Sequence, residues 1–220
     1  MKKNTRTELV FILDRSGSMS GLEADTIGGY NAMLKRQKEQ EGEVTVTTVL
    51  FDDQYELLHD RIPLTDLDPI TEREYYVRGC TALLDAMGMT IQKIENVQNH
   101  IKPDKRADKV LFVITTDGME NASRRFRVED VRRMVEWTKE AHGWEYLFLG
   151  ANIDAIATAG RFGISEDRAV DYHADEEGTL LNFRVVSDVI SHFRAPNCAS
   201  VGREWKAPIE ADYKNRKARR

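Results

Sequence analysis

Three uninterrupted apolar runs constrain this sequence of 220 residues more than any other feature. They lie at residues 8–13, 109–115 and 144–149, and their cores read LVFIL, VLFVI and YLFL. Runs in which neighbouring residues are all apolar, rather than every second one, are typical of strands that are buried on both faces. The sequence therefore predicts a sheet that is covered by other elements on both sides.

Helical patterns separate these strands. Apolar residues recur every three or four positions in segments 22–40, 82–101, 128–141 and 179–193, and a shorter helix is predicted at 153–159. The alternation of strands and helices predicts an α/β fold with a mostly parallel sheet and helices on both faces. Segments 43–51 and 55–62 flank the Asp52-Asp53 turn and predict an antiparallel hairpin at one sheet edge. Residues 169–173 are a weak edge-strand candidate.

Oxygen-bearing side chains follow the first two apolar runs. Asp14, Ser16 and Ser18 come after the first run, and Asp117 with Gly118 comes after the second. Thr81 lies at the start of the intervening helix. Ligands of open parallel sheets bind beyond the carboxyl ends of the strands, where the strand order reverses. If the reversal falls between these two strands, the five oxygen-bearing side chains meet at one place.

The chemistry of this set indicates the kind of ligand. Carboxylate and hydroxyl oxygens suit a hard divalent cation such as Mg²⁺, whereas zinc prefers nitrogen and sulfur ligands. None of the five histidines lies within these motifs, and Cys80 is the only nearby thiol. Gly17 is predicted to let the loop turn tightly, so that Ser16 and Ser18 point the same way. Mn²⁺ and Ca²⁺ stay open as alternatives to Mg²⁺.

The pattern Asp14-x-Ser16-x-Ser18, followed by Thr81 and by Asp117-Gly118, resembles the metal-ion-dependent adhesion site of the von Willebrand factor A (vWA) family. The resemblance covers about residues 8–193, and segments 79–86 and 115–123 are similar to bacterial members in particular. It implies a doubly wound, Rossmann-like sheet with strand order 3-2-1-4-5-6, one antiparallel edge strand and Mg²⁺ at its top.

The resemblance also implies a role for each residue. Ser16 and Ser18 should bind the metal directly, and Thr81 should do so in a ligand-bound state. Asp14 and Asp117 should act largely through water or switch to direct contact with the metal. Such a metal keeps one coordination position that a partner's Asp or Glu can fill. The expected function is therefore a metal-dependent, adhesion- or scaffold-type protein-binding module that is not an enzyme.

Four further residues are candidates for the surroundings of the metal. Gly17 and Gly118 lie within the motifs themselves. Asp85, one helical turn after Thr81, is either an ordinary helix acid or a hydrogen-bonding support of the site. Asn152 follows the third strand on the same side of the sheet, and capping of the next helix is the favoured interpretation for it. Glu120 and Asn121 are interpreted as loop-shaping residues.

A Mg²⁺-dependent phosphoryl-transfer or hydrolytic enzyme is the alternative function. A haloacid-dehalogenase-like phosphatase needs a second Asp two residues after the first, where this chain has Ser16. The segment GSMSG at 17–21 places Met19 where a serine hydrolase needs its nucleophile, and the sequence contains no P-loop or dinucleotide-binding glycine pattern. The alternative thus has a cation but no nucleophile, base or nucleotide loop.

Charge is unevenly distributed along the chain. The net charge is −5, yet residues 194–220 contain eight Lys or Arg against three acids, which makes this segment +5 and the remainder −10. We predict a vWA domain at 1–194 and an irregular basic tail at 195–220, where a solvated end is favoured over contact with nucleic acid. Two cysteines, no signal-peptide pattern and no apolar run of membrane-spanning length predict a cytoplasmic protein.

Overall fold

The computed structural model describes residues 5–198 and 200–217. Within these residues, six strands form one sheet in the order β3-β2-β1-β4-β5-β6. The strands are β1 (Arg6–Asp14), β2 (Glu43–Phe51), β3 (Tyr55–Pro63), β4 (Lys109–Asp117), β5 (Glu145–Ala151) and β6 (Ala169–Tyr172). All neighbouring pairs are parallel except β2 and β3, which form the antiparallel edge hairpin. The predicted fold class and strand order are confirmed.

Helices cover both faces of the sheet. They are α1 (Glu23–Lys38), α2 (Leu83–His100), α3 (Val128–His142), α4 (Ala155–Arg161), α5 (Glu176–Arg194) and α6 (Ala207–Lys217). Residues of α1, α5 and α6 contribute to the core on one face, and residues of α2, α3 and α4 to the core on the other. No helix in the described part of the chain combines the length and the apolarity that crossing a bilayer requires.

The central strand β1 explains why the apolar runs are uninterrupted. Leu9, Phe11 and Leu13 pack into the core beneath α1 and α5, whereas Val10 and Ile12 pack into the core beneath α2 and α3. All five side chains are fully buried. Because side chains alternate between the faces of a strand, both sets must be apolar. Each such side chain contributes about 1.5–3 kcal/mol on burial.

The register of the central strands decides where the polar residues meet. Leu13 of β1 pairs with Thr115 of β4, so Asp14 and Asp117 leave the sheet at the same edge. The chain crosses from β1 through α1 to β2 on one side, and β4 lies on the other side of β1. The strand order therefore reverses between β1 and β4, which places a crevice above their carboxyl ends.

The prediction of an irregular tail at 195–220 is wrong for most of the segment. A 3₁₀ turn at Arg203–Lys206 leads into α6. Trp205 and Ile209, four residues apart, lie in the core that α5 and β6 share. Two apolar residues four positions apart lie on the same face of a helix. A pattern of only two residues does not predict a helix from sequence, and here it becomes an apolar face only because it packs against the edge of the sheet. The predictions for residues 199 and 218–220 lie outside the described residues.

Two basic residues of this segment, Lys206 and Arg216, have partners within the chain. The Lys206 ammonium donates to the carbonyl oxygens of Glu166 and Ala169, at 2.8 and 3.0 Å. Arg216 pairs at 2.6 Å with Asp175, whose side chain also caps the start of α5. The positive charge of the segment thus contributes to attaching α6 to the sheet edge.

We expect Trp205→Ala to destabilise the protein by about 3–5 kcal/mol, because it empties a buried site. Trp205 is 9% exposed and its indole N–H donates to the carbonyl of Asp167 at 2.8 Å. Trp137, which is 56% exposed, supplies the matched control, and Trp137→Ala should cost less than about 1 kcal/mol. Urea unfolding measures both. Equal unfolding midpoints for the two variants would show that α6 is not packed as described.

Candidate metal centre

The hydroxyl groups of Ser16, Ser18 and Thr81 form a continuous chain above the carboxyl end of β1. The Thr81 hydroxyl donates to the Ser16 Oγ at 3.0 Å, and the Ser16 and Ser18 Oγ atoms are 3.1 Å apart. Gly118 lies against this chain, since a Cβ built on it would be 3.1 Å from the Ser18 Oγ. Its φ of +137° lies in the region that favours glycine. The residue after Asp117 can therefore approach the hydroxyls only as glycine.

Asp14 is fully buried beneath these hydroxyls. Its Oδ1 accepts from the Ser16 N–H at 2.7 Å, and its Oδ2 accepts from the Thr116 hydroxyl at 2.6 Å and from the Asp117 N–H at 3.3 Å. Burial raises the pKa of the Asp14 carboxyl, and the hydrogen bonds from Ser16 and Thr116 oppose that rise. The carboxylate is held rigidly by neutral donors.

Asp117 is the second carboxylate of the site and is 2% exposed. Its Oδ1 accepts from the Asn152 side-chain amide at 2.5 Å. Burial raises its pKa as well, and the Asn152 hydrogen bond opposes the rise. Asn152 has a φ of +54°, a backbone conformation that asparagine tolerates better than most residues. This backbone conformation accompanies the contact between the Asn152 side chain and Asp117.

The two carboxylates lack a positively charged partner in the part of the chain that the structure describes. Among the described residues, no Lys, Arg or His side chain lies within 4 Å of Asp14 or Asp117. Burying an unpaired charge is expensive, and a bound cation would remove most of that cost. The donor set holds only oxygen atoms, and the described residues contain no group of three or more His, Cys, Asp or Glu side chains arranged to hold a metal ion by themselves. The residues therefore fit a hard divalent cation that hydroxyl oxygens help to bind.

A buried ion pair fixes the loops that carry the hydroxyls. Arg15 is fully buried, and its Nε donates to the Asp52 carboxylate at 2.9 Å while its Nη2 donates to Glu56 at 2.7 Å. Arg78 donates to the same Asp52 oxygen at 2.7 Å. Burial alone would raise the pKa of Asp52, but the hydrogen bonds from Arg78, from the Gln54 N–H and from Arg15 hold it below its usual value.

Backbone hydrogen bonds carry this anchoring to the site. The carbonyl of Asp52 accepts from the Ala82 N–H at 2.8 Å, beside Thr81. The Gly79 carbonyl accepts from the Gly17 N–H at 3.1 Å, beside Ser16. The two hydroxyl-bearing loops are thus joined both to each other and to the end of β2.

Sequence reasoning missed several of these supporting residues. Asn121 accepts from the Thr81 N–H at 2.9 Å, and its own N–H donates back to the Thr81 carbonyl at 3.0 Å. Tyr75 is buried and donates to the Asp14 carbonyl at 2.5 Å. An arginine directly after the buried strand β1 was the available signal for the Asp52 ion pairs, since a buried charge needs partners. Asn121 and Tyr75 have no comparable signal in the sequence.

Three interpretations of neighbouring residues need correction. Asp85 does not reach Thr81, because its carboxylate accepts from the N–H groups of residues 124, 125 and 126, each at 2.9 Å. Asn152 does not cap α4, since Asp154 does so by accepting from the Ala157 N–H. Gly17 is not required by its backbone angles, because it lies outside the left-handed region that Gly118 occupies. Asp52 does shape the hairpin turn, but it also pairs with Arg15.

Comparisons with solved structures find proteins of the same fold. A variant of the PilB minor pilin of Streptococcus sanguinis matches 86% of this chain with a TM-score of 0.60 and 14% identity. A von Willebrand factor type A protein of Catenulispora acidiphila matches 86% with a TM-score of 0.59 and 12% identity. The mussel byssus proximal thread matrix protein 1, with a zinc-occupied MIDAS motif, matches 84% with a TM-score of 0.57 and 13% identity.

The fold is that of a von Willebrand factor A domain. At this level of identity the likeness establishes the fold alone. The chain spans 62%, 43% and 46% of these three structures in turn, so each of them contains further parts. No protein-family model matches the sequence, and a search of curated proteins finds no match. In this vWA fold, the crevice between β1 and β4 holds the five residues predicted from the sequence.

We expect Asp52→Asn to destabilise the protein by about 3 kcal/mol at neutral pH, because it leaves the buried Arg15 guanidinium without its full counter-charge. Asp68→Asn, on an exposed carboxylate, is the matched control and should cost less than about 0.5 kcal/mol. The pKa of Asp52 is depressed in the fold, so its contribution is present above the unfolded value of about 3.9 and is lost as pH falls through the folded value.

Guanidinium unfolding at several pH values measures this contribution. The difference between the wild type and Asp52→Asn should shrink below about pH 4. A difference that is absent at pH 7, or that grows as pH falls, would contradict the assigned ion pair.

Proposed function

We propose that this protein is a metal-dependent protein-binding module, whose bound divalent cation is engaged by an Asp or Glu of the partner. One observation carries the proposal: Asp14 and Asp117 are buried beside three linked hydroxyl groups, with no positive partner in the described part of the chain. Ser16, Ser18 and Thr81 would hold the cation through their hydroxyls, and the two carboxylates would do so directly or through water. The cation would supply an electrophilic position for a carboxylate from outside.

The exposure of the donors supports an open site. Ser16 and Thr81 are 1% and 3% exposed, whereas Ser18 is exposed. The cation would therefore be covered on the protein side and accessible beside Ser18. Met119 follows Gly118 and is 75% exposed, which offers an apolar contact at the rim of the site. An apolar rim beside a metal suits a protein partner better than a free carboxylic acid.

The metal is proposed to be Mg²⁺. Oxygen-only donors with few charges suit this ion, and Mn²⁺ and Ca²⁺ share the preference. The byssus protein with zinc in its motif makes Zn²⁺ a necessary comparison in any binding assay.

A binding role is proposed rather than an enzymatic one. Among the described hydrogen bonds of the five site residues, none involves a His, Lys or Cys side chain that would serve as a base or nucleophile. A pilin and a matrix protein among the structural neighbours support the same interpretation. Cys80 and Cys198 are both unpaired thiols, which supports a cytoplasmic location, and a bacterial origin is proposed from the resemblance of segments 79–86 and 115–123.

We expect Mg²⁺ to stabilise the wild type. At 100 times its dissociation constant, the ion adds about 2.7 kcal/mol to the free energy of unfolding, which raises Tm by about 5–10 °C in a chain of this size. Asp14→Asn and Ser18→Ala should reduce this increase strongly. Ser20→Ala removes an exposed hydroxyl two residues away and should keep it. Differential scanning calorimetry with Mg²⁺, Mn²⁺, Ca²⁺, Zn²⁺ or chelator measures the increase.

Each result of this experiment is decisive for the site. Equal increases in Tm for the wild type, Asp14→Asn and Ser18→Ala would place the bound ion elsewhere. No increase in the wild type with any of the four ions would end the proposal of a metal centre.

We further expect a displayed random-peptide library, selected in Mg²⁺ and eluted with chelator, to yield peptides that share an Asp or Glu. Replacing that residue by Asn or Gln should weaken binding at least about tenfold, because the amide cannot supply the anionic ligand. Fluorescence anisotropy of labelled peptides measures the affinity. Peptides that bind equally well in chelator, or that lack an acid, would argue against engagement through the metal.

A further inference from the structure

A cavity of about 330 Å³ opens at the end of the sheet opposite the metal centre. It lies where β1 and β2 begin and β3 ends, and the ends of α1 and α5 border it. Its volume falls within the range of small-molecule sites. The cavity shares no residue with the proposed metal centre.

Positive charge dominates the walls of this cavity. Its cationic side chains are Arg6, Lys38, Arg61, Lys105 and Arg194, and Glu43 is its one acidic lining residue in the described chain. Two of the cations are neutralised: Arg6 pairs with Glu43 at 2.6 Å, and Arg61 pairs with Glu8 at 2.8 Å.

Three cations are left without a carboxylate among the described residues. The Lys38 ammonium donates only to the Leu67 carbonyl, at 2.6 Å, and the Lys105 side chain has no hydrogen-bond or ion-pair partner in that part of the chain. Arg194 is the third. The cavity therefore carries an excess of about three positive charges.

Arg194 raises the energetic cost of this excess charge, because the residue is buried, with 7% exposure. Its Nη1 donates to the Gln37 carbonyl at 2.8 Å, and its Nη2 donates to the carbonyls of Gln40 and Glu41 at 3.2 and 3.0 Å. Its Nε is buried and has no hydrogen-bond partner among the residues that the structure describes. Carbonyls at the end of α1 stabilise a cation only partly, so an anion in the adjoining cavity would lower the cost of burying this guanidinium.

Apolar and uncharged polar residues form the rest of the lining. Val44, Pro63, Leu64 and Ala107 supply apolar walls, and Thr7, Gln37, Gln40, Thr45 and Thr65 supply neutral polar groups. A site with apolar walls and several uncompensated cations discriminates against both inorganic ions and neutral apolar molecules. We propose that this cavity binds a small organic anion, namely a carboxylate, sulfonate or phosphate ester attached to an apolar group.

The probe for this site is 8-anilinonaphthalene-1-sulfonate, which joins an aromatic body to one sulfonate. Its fluorescence should report saturable binding to the folded protein at neutral pH. N-phenyl-1-naphthylamine has the same aromatic body without the sulfonate, and it should bind at least about tenfold more weakly. Affinity for the sulfonate should fall as NaCl is raised, because salt screens the cations.

Two variants locate the binding. Lys105→Glu should weaken binding of the sulfonate about tenfold, since it replaces an attractive charge by a repulsive one. Lys102→Glu, on an exposed lysine outside the cavity lining, is the matched control and should change it little. Thr45→Phe should abolish binding by filling the cavity, and circular dichroism checks that the variant is folded.

The result is independent of the metal centre. Binding of the sulfonate should be the same with and without chelator and in Asp14→Asn, because the two sites lie at opposite ends of the sheet. Equal affinities for the sulfonate and the neutral amine would overturn the proposal. So would binding that neither Lys105→Glu nor Thr45→Phe alters.

Discussion

A buried carboxylate at the end of the central strand organises the rest of the site. Asp14 accepts from the Ser16 N–H, from the Thr116 hydroxyl and from the Asp117 N–H. These donors come from the loop after β1 and from the end of β4, so one side chain joins the two strands at the point where the sheet order reverses. All three donors are neutral. The negative charge is therefore positioned but not neutralised, which is what a cation site requires.

The next residue, Arg15, carries a buried charge of the opposite sign. Arg15 is buried to the same extent as Asp14, yet its charge is compensated within the protein by Asp52 and Glu56. Successive side chains of an extended chain point in opposite directions, so adjacent residues of opposite charge contact different networks. Had the Arg15 guanidinium turned toward Asp14, the pair would have neutralised the site and removed its reason to bind a cation.

Sequence patterns predicted some parts of the site and of the fold but not others. The five oxygen-bearing residues and the strand order follow from apolar runs, motif order and the resemblance to the vWA family, because these signals are local or recur in fixed order. Asn121, Thr116 and Tyr75 have no comparable signal, since their roles depend on which backbone groups lie beside them after folding. Helix α6 was missed for a related reason: Trp205 and Ile209 form a hydrophobic face only against the edge that β6 leaves uncovered.

By itself the sequence determined most of the strands and helices, α6 excepted, and the oxygen-bearing side chains at the strand ends. Side-chain periodicity and residue chemistry are properties of the chain alone. Tertiary structure decided which charges are paired. It placed two carboxylates beside Arg15 and, within the described residues, no cation beside Asp14. It also buried Arg194 against carbonyl oxygens beside a cavity lined by cations. The physical reason is that the cost of a buried charge depends on distances between residues far apart in sequence, and only folding sets those distances.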